Sequence, residues 1–363
     1  MKIMRQNNRR KAKMTKKFVL VAAFAFAIFI MGVMGRAYYS ILRLSLPPDT
    51  KNVITSLAKA KNEGNKNRAD TKNVITTLAK ATNEGNDFVI ETYKMNDIVS
   101  NEVKRGGWEP QTVTALNQLC REYSMKHKIP LSDLTFIDIG ANIGWISMNM
   151  AALGVKVLAF EPMEENIRLL KKTLNNTVNI ESGVSGRITL YEHGLGTKEE
   201  TCFLYSDNHN FGDGHVKCVE LGDLVMPAQY TIRGSVRVKR LDDVIVDTEG
   251  LHIAAIKMDT EGYEGNVLGG GTKLFLGGSV NALITEFQPA WLVQKGSDPV
   301  VFMKKMSSAG YRVKKNGGGY MNQSEMMDMS NFGKNDLTFH SAELVSEYEV
   351  EVISVKDPEE ENH

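Results

Sequence analysis

Five carboxylates stand at the carboxyl ends of apolar runs that have the length and composition of β-strands: Asp138, Glu161, Asp259, Glu261 and Glu286. In an open α/β sheet the carboxyl ends of parallel strands meet at one edge, and ligands bind in the crevice there. A carboxylate at such an edge can hold sugar hydroxyls, accept a proton or bind a hard cation. The five residues therefore predict a polar site at one edge of a sheet.

The turn after the first of these strands carries two glycines, Gly140 and Gly144, with Asn142 between them. Glycine permits a tight turn, and the helix predicted to follow offers unpaired N–H groups to an anionic ligand group. Glu161 lies 23 residues after Asp138, near the position where dinucleotide-binding sheets place the acid that holds a ribose. Because residue 142 is not glycine, the turn departs from the dinucleotide pattern G-x-G-x-x-G. We expect a ligand that contains ribose; the alternative is a purely structural glycine turn.

The elements that would position these residues follow from apolar periodicity. Residues 87–128 have a mainly helical pattern, and Glu164–Leu174 predicts the second helix of the sheet unit. Residues 200–240 are polar and then alternate, which predicts an insertion or hairpin at the edge of the sheet where ligands bind. Two histidines of this stretch, His209 and His215, could act in acid–base chemistry or bind a metal, or could be solvated loop residues.

Composition limits the class of protein. The net charge of +1 is unevenly distributed along the chain. Residues 1–17 carry eight Lys or Arg and no acid, so the rest of the chain has a net charge of −7. A mildly acidic body gives no electrostatic case for nucleic-acid binding. The three cysteines, Cys120, Cys202 and Cys218, form no metal-ligand pattern. Cys202 and Cys218 could pair in an oxidising compartment or stay as buried thiols.

The amino-terminal part predicts a membrane anchor. Residues 18–35 contain no charged side chain and are long enough to span the hydrocarbon layer as a helix, and the basic cluster before them favours a cytoplasmic N-terminus. We expect an uncleaved signal anchor; a cleaved signal peptide is the alternative. The predicted division of the chain is a basic tail (1–17), a transmembrane anchor (18–35), a stalk (36–86), a folded domain (87–342, core 134–310) and an acidic tail (343–363).

The predicted stalk contains a tandem duplication. Residues 49–65 recur as residues 70–86 with a period of 21 residues and two differences. Within each copy the apolar residues, such as Leu78 and Ala79, fall on one face of a helix. The two interpretations are a weakly helical, self-associating stalk and a polar spacer.

Taken in order, five motifs resemble the FkbM family of S-adenosylmethionine-dependent methyltransferases: FIDIGANIG (136–144), FEP (160–162), RLDDVI (240–245), IKMDTEGYEGNVL (256–268) and ITEF (284–287). The resemblance implies a Rossmann-like class I methyltransferase fold, with a seven-stranded, mostly parallel sheet whose last strand is antiparallel. It also implies O-methylation of a hydroxyl, with a sugar or glycan as the small-molecule or glycan acceptor.

The resemblance also implies roles for the edge residues. Asp138, Gly140, Asn142 and Gly144 would hold the methionine end of S-adenosylmethionine, and Glu161 its ribose. The acceptor would be positioned and deprotonated by three acids: Asp259, Glu261 and Glu286. No metal is assigned, although these three acids could alternatively hold a divalent ion, and Glu264 is interpreted only as a residue of the next helix. Many methyltransferases hold the adenine amine with an acid after the third strand, and Gly194-Leu195-Gly196 supplies none here.

Two other classes are weighed against this interpretation. One is a nicotinamide-dependent oxidoreductase, which the missing glycine disfavours; the other is a membrane-tethered, non-catalytic glycan-binding or scaffold protein. The predicted anchor would make the chain a single-pass type II membrane protein of the secretory pathway, in the Golgi or ER, with a lumenal catalytic domain. Two N-x-[ST] sequons, at Asn175 and Asn322, are compatible with that location.

Overall fold

A computed structural model of the chain describes residues 76–345, except 95, 96, 211, 220–225, 227, 249, 317 and 334. Its strands are β1 (Thr76–Asn83), β2 (Asn86–Tyr93), β3 (Leu134–Ile139), β4 (Lys156–Phe160), β5 (Ile188–Tyr191), β6 (Gly194–Leu195), β7 (Glu200–Asp207), β8 (Gly214–Lys217), β9 (Tyr230–Lys239), β10 (His252–Met258), β11 (Ala282–Phe287), β12 (Arg312–Val313) and β13 (Asn335–His340).

The helices are α1 (Ile98–Arg105), α2 (Pro110–His127), α3 (Trp145–Leu153), α4 (Glu164–Leu174), α5 (Thr177–Glu181), α6 (Leu241–Val244), α7 (Glu264–Gly270), α8 (Thr272–Leu276), α9 (Pro289–Gln294), α10 (Pro299–Ser308) and α11 (Gln323–Met327). Short 3₁₀ turns occur at Leu131–Asp133, Ser185–Arg187 and Met329–Asn331.

The central sheet has seven strands in the order β12-β13-β11-β10-β3-β4-β5. Strand β13 is antiparallel to both of its neighbours, while β11, β10, β3, β4 and β5 pair in parallel. The predicted α/β fold with a mostly parallel seven-stranded sheet and an antiparallel last strand is therefore confirmed. The chain runs outward from β3 in both directions, so β3 and β10 form the switch point at which open sheets bind ligands.

Strand β3 is mostly apolar because its side chains are buried on both faces of the sheet. Leu134 and Phe136 pack into the apolar cluster on the side of α2 and α3, whereas Ile137 and Ile139 pack into the cluster on the side of α7 and α8. Successive side chains of a strand point to opposite faces, and parallel strands covered by helices on both sides read as continuous apolar runs. Asp138 accordingly belongs to the face that carries α3.

Residues 200–240, predicted to form an insertion or hairpin, contribute β7, β8 and β9 to a second sheet with the strand order β6-β9-β7-β8, and β6 precedes this segment. Strands β7, β8 and β9 pair in antiparallel fashion. A disulfide between Cys202 and Cys218 joins the beginning of β7 to the residue that follows β8. Of the two states left open for these cysteines, the structure contains the bonded one, and Cys120 is a buried free thiol.

The helical interpretation of the second repeat copy is wrong for residues 76–86. These residues form β1 and the turn of a hairpin with β2, and so the folded unit includes residues that were predicted to belong to the stalk. Asn83 donates to the carbonyl of Asn149 in α3 (2.7 Å), and Asn86 donates to that of Ala152 (2.7 Å). These hydrogen bonds and cross-strand pairing override the weak helical periodicity. The segment after residue 86, predicted to be mainly helical, begins with β2 before α1 and α2.

The predicted anchor at 18–35, the first repeat copy and most of the acidic tail lie outside the described residues. No helix among residues 76–345, as far as the structure describes them, has the length and apolar character needed to cross a membrane.

Candidate active site at the switch point

A cavity of about 540 Å³ opens at the carboxyl edge of the sheet, between the ends of β3, β4 and β10. Its size lies within the range typical of small-molecule sites. It brings together six of the eight predicted site residues: Gly140, Asn142, Glu161, Asp259, Glu261 and Glu286. We call the part built from residues 140–144, Glu161 and His193 the cofactor half, and the part built from Asp213, Asp259, Glu261 and Glu286 the acidic half.

The turn after β3 is fixed by its neighbours on both sides. The N–H groups of Gly140 and Ala141 both donate to the carbonyl of Phe160 at 3.0 Å. Gly140 has φ +82°, and a Cβ atom there would lie 1.9 Å from the carbonyl oxygen of Asp259. Only glycine fits this conformation and this close approach. Asn142 also has positive φ (53°), which asparagine tolerates better than most residues.

Glu161 lies at the end of β4 and is 4 % exposed. Its Oε2 accepts from the N–H of Asn142 (2.8 Å), and its Oε1 accepts from the N–H of Met163 (2.8 Å) and from Asn166 Nδ2 (3.3 Å). These donors fix the carboxylate beside the glycine turn. Burial raises the pKa of Glu161 to about 7, although the three hydrogen bonds favour the charged form.

Two predicted site residues, Asp138 and Gly144, do not line the cavity. Asp138 is fully buried beneath the turn, and its Oδ2 accepts from Ser147 Oγ at 2.6 Å. Burial raises the pKa of Asp138, against the effect of nearby Lys257. Gly144 caps the beginning of α3. Asp138 thus supports the turn from below, and direct contact of either residue with a cofactor stays a prediction.

The acidic half gathers three carboxylates from the ends of β10 and β11. Asp259, Glu261 and Glu286 each bring one oxygen atom to within 4.8 Å of the others. Asp259 Oδ2 pairs with Lys257 Nζ at 3.0 Å. Glu261 has positive φ (54°), which is uncommon outside glycine and asparagine. Burial and then the charges of Asp259, Asp213 and Glu286 raise the pKa of Glu261 well above its usual value.

Glu264 holds the turn that presents these acids. Glu264 is the first residue of α7, which agrees with its interpretation as a residue of the next helix. Its Oε1 accepts from Thr260 N (2.8 Å), Thr260 Oγ1 (2.8 Å) and Gly262 N (3.3 Å). The carboxylate of Glu264 is buried, and burial raises its pKa to about 7.

The insertion passes over the cofactor half and closes the cavity. The carbonyl of Gly212 accepts from Asn142 Nδ2 (3.4 Å) and Asn166 Nδ2 (3.3 Å), and its N–H donates to Asp97 Oδ1 (3.0 Å). Asn210 Oδ1 accepts from the N–H of Ile98 at 3.1 Å. The loop between β7 and β8 therefore links the glycine turn to the beginning of α1.

Sequence reasoning missed several residues that line the cavity: Glu109, His193, Asp213, Trp291 and Asp336. His193 lies two residues after the end of β5, and burial lowers its pKa. Asp213 and His215 are two residues apart, and that spacing places side chains on one face of an extended segment. This spacing was the available signal for Asp213. His215 is buried, whereas His209 is exposed on the loop.

Residues 138–313 match the family model of the Methyltransferase FkbM domain. The resemblance drawn from the five motifs is therefore confirmed: this segment of the chain is an FkbM methyltransferase domain. Among curated proteins, none matches the chain.

Similar solved structures include a methyltransferase FkbM from Methylobacillus flagellatus KT, with 17% identity over 67% of this chain and 60% of that chain and a TM-score of 0.36. WbdD in a co-crystal with a kinase inhibitor has 12% identity over 69% of this chain and 46% of that chain, with a TM-score of 0.39. Precorrin-6y C5,15-methyltransferase from Geobacter metallireducens GS-15 has 13% identity over 69% and 95%, with a TM-score of 0.30. Similarity at this distance says nothing about the acceptor.

Proposed function

We propose that the chain is an S-adenosylmethionine-dependent O-methyltransferase that methylates a hydroxyl group of a sugar or glycan. The observation that supports this most directly is the shared cavity of the glycine turn and Glu161. Glu161, the acid we assign to the ribose, and the tight glycine turn face one cavity at the switch point of an FkbM methyltransferase domain. A nicotinamide enzyme would need a glycine where Asn142 stands.

The residues of the cofactor half fit such a ligand. Oε1 of Glu161 already accepts two hydrogen bonds, whereas Oε2 accepts one and has a lone pair for a further donor, so the carboxylate can accept from a ribose hydroxyl while it keeps its protein donors. Gly140 allows the turn to lie directly against the carbonyl oxygen of Asp259, where a Cβ would clash. His193 and Leu195, which follow the third strand, offer a flat ring and an apolar side chain to the adenine end.

When bound, S-adenosylmethionine supplies an electrophilic methyl group on a positively charged sulfur. The chain itself contributes orientation, which can supply several kcal/mol, and a group that takes the hydroxyl proton, typically worth about 10²–10⁴-fold in rate. Asp259 and Glu286 are the acceptors for that proton. Glu261, whose pKa is raised by burial and by the neighbouring acids, positions the acceptor.

A lumenal or extracellular location is part of the proposal. The Cys202–Cys218 disulfide supports it, because structural disulfides persist mainly in oxidising compartments. Both sequon asparagines, Asn175 and Asn322, are exposed and so accessible to glycosylation. The anchor predicted at residues 18–35 would then tether a type II membrane protein whose acceptor is a glycan of the secretory pathway.

Calorimetry with S-adenosylmethionine and with NAD on the same preparation is the first test, followed by labelled methyl transfer to a panel of glycans and lipids. We expect binding of the sulfonium nucleoside alone and label on a hydroxyl-bearing glycan. Binding of NAD instead would replace the proposal with an oxidoreductase. Binding of S-adenosylmethionine without transfer to any member of the panel would favour the non-catalytic scaffold.

A further inference from the structure

One cluster in the cavity wall contains a histidine as well as acids. Asp213, His215 and Glu261 each offer one ligand atom, and these atoms lie within 4.8 Å of one another. Glu261 is also a member of the group formed with Asp259 and Glu286. Five potential ligands from three separate segments thus converge around a single carboxylate.

His215 is held rigidly and presents its ring to this cluster. His215 is 9 % exposed. Its imidazole stacks on Tyr205, with ring centroids 5.5 Å apart, while Tyr230 and Trp291 meet it edge-on at 5.4 and 6.3 Å. Its Nε2 makes no hydrogen bond within the described part of the chain and lies 3.4 Å from Asp213 Oδ1. Buried polar atoms are normally hydrogen-bonded, so a buried ring nitrogen that faces two carboxylates calls for a ligand.

The backbone of the insertion fixes the positions of Asp213 and His215. Asp213 and His215 flank Gly214 at the beginning of β8, and His215 pairs with Tyr205 of β7. The disulfide between Cys202 and Cys218 closes the same hairpin. Asp213 and His215 are thereby fixed relative to each other before Glu261 approaches from the turn after β10.

The charges in the cavity favour a cation at this place. Among the described residues that line the cavity, seven are acidic and one, Lys257, is a lysine or arginine. Lys257 pairs with Asp259 and so does not neutralise the cluster around His215. Lys295, another nearby cation, donates to Tyr205 Oη (2.9 Å) and to the carbonyl of Val216 (3.1 Å). Crowded, partly buried carboxylates need a counter-charge.

We propose that Asp213, His215 and Glu261 bind a divalent cation, with Asp259 and Glu286 adjacent to it. One imidazole and several carboxylates form a ligand set for a first-row divalent metal such as Mn²⁺, whereas an all-oxygen set would suit Mg²⁺ or Ca²⁺. Binding of the cation at this site does not depend on methyl transfer by the chain. Its role rests on the proposed function: a cation on the acidic half would hold an oxygen atom of the acceptor.

The test is a titration of the chelator-treated full chain, disulfide intact, with Mn²⁺ alone, followed by electron paramagnetic resonance. We expect saturable binding of Mn²⁺ and a ¹⁴N hyperfine coupling from a directly bound imidazole. His215→Ala should abolish the ¹⁴N coupling and weaken binding by roughly 10–100-fold or more, which is the range for loss of groups that support a metal ligand. His209→Ala is the matched control, since His209 is exposed on the same insertion, and should change neither signal.

Asp213→Asn keeps the imidazole and tests the site independently of any unfolding of His215→Ala. It should weaken Mn²⁺ binding by a similar factor and leave the ¹⁴N coupling in place at saturating metal. Failure of the unsubstituted chain to bind Mn²⁺, or binding without a ¹⁴N coupling, overturns the proposal. S-adenosylmethionine binding, measured on the same samples, separates the two ideas: its absence beside a normal Mn²⁺ site would refute the methyltransferase proposal only.

Discussion

The two halves of the cavity use the same type of residue in opposite ways. In the cofactor half, Glu161 stands alone and its carboxylate accepts from two backbone N–H groups and one amide. In the acidic half, Glu261 lies among Asp213, Asp259 and Glu286. Burial raises the pKa of Glu261, and the charges of these three acids raise it further. The first arrangement fixes one carboxylate for one ligand. The second brings several charges together, a geometry suited to a proton or a cation.

The difference between the two halves should have its largest effect in a variant of Asp259. Asp259→Asn should lower turnover by about 10²–10⁴-fold, because it removes a proton acceptor of the acidic half, and should leave the dissociation constant for S-adenosylmethionine within a few-fold of the original. Asp336→Asn is the control: Asp336 lines the same cavity but belongs to neither group of clustered acids. Turnover by labelled methyl transfer and affinity by calorimetry are measured separately. Unchanged turnover would remove Asp259 from the mechanism.

Gly140 of the cofactor half lies against the backbone of Asp259 in the acidic half. Gly140→Ala should therefore disturb the packing between the two halves. The new Cβ would lie 1.9 Å from the carbonyl oxygen of Asp259, at a backbone φ of +82°. Strain of the left-handed conformation and overpacking together should lower the free energy of unfolding by roughly 2–5 kcal/mol, as measured by denaturant titration. Gly278 has φ +78° and nothing within 4 Å of a Cβ. Gly278→Ala should therefore show only the conformational part, about 1–2 kcal/mol.

Glu161→Gln should weaken cofactor binding and leave the acidic half unchanged. Loss of a charge-assisted hydrogen bond costs about 1.5–3 kcal/mol, so the dissociation constant for S-adenosylmethionine should rise by roughly 10- to 150-fold. Mn²⁺ affinity, which belongs to the acidic half, should stay the same. Glu164→Gln, an exposed acid at the beginning of α4, serves as the control. An unaltered dissociation constant in Glu161→Gln would show that the ribose is held elsewhere.

The cofactor half could be predicted from sequence because its parts are local. The turn at 140–144 and Glu161 follow adjacent strands, and the α/β pattern places both at one edge. The acidic half could be predicted only in part. Asp259, Glu261 and Glu286 follow strands of the same sheet, whereas Asp213 reaches them from an insertion whose course no periodicity gives. The hairpin at residues 76–93 was missed for the same reason, since its strand pairing and the contacts of Asn83 are tertiary.

The smallest predicted effect concerns a property that the two halves share. Each depends on a buried carboxylate held by backbone N–H groups: Glu161 in the cofactor half, and Glu264 in the turn that presents the acidic half. Burial raises the pKa of both to about 7. A folded-state pKa above the unfolded value of 4.5 means that the folded chain binds more protons between these pH values, so stability falls as pH rises.

Between pH 6 and pH 8 each group should lower the free energy of unfolding by roughly 1–1.5 kcal/mol, measured by denaturant titration at constant ionic strength. Glu264→Gln cannot titrate and should flatten the profile by that amount, and Glu161→Gln should do the same. An unchanged slope in Glu264→Gln would mean that Glu264 stays charged when folded. In that case the hydrogen bonds from Thr260 and Gly262 outweigh burial, and the turn that presents the acidic half is held by a carboxylate anion throughout.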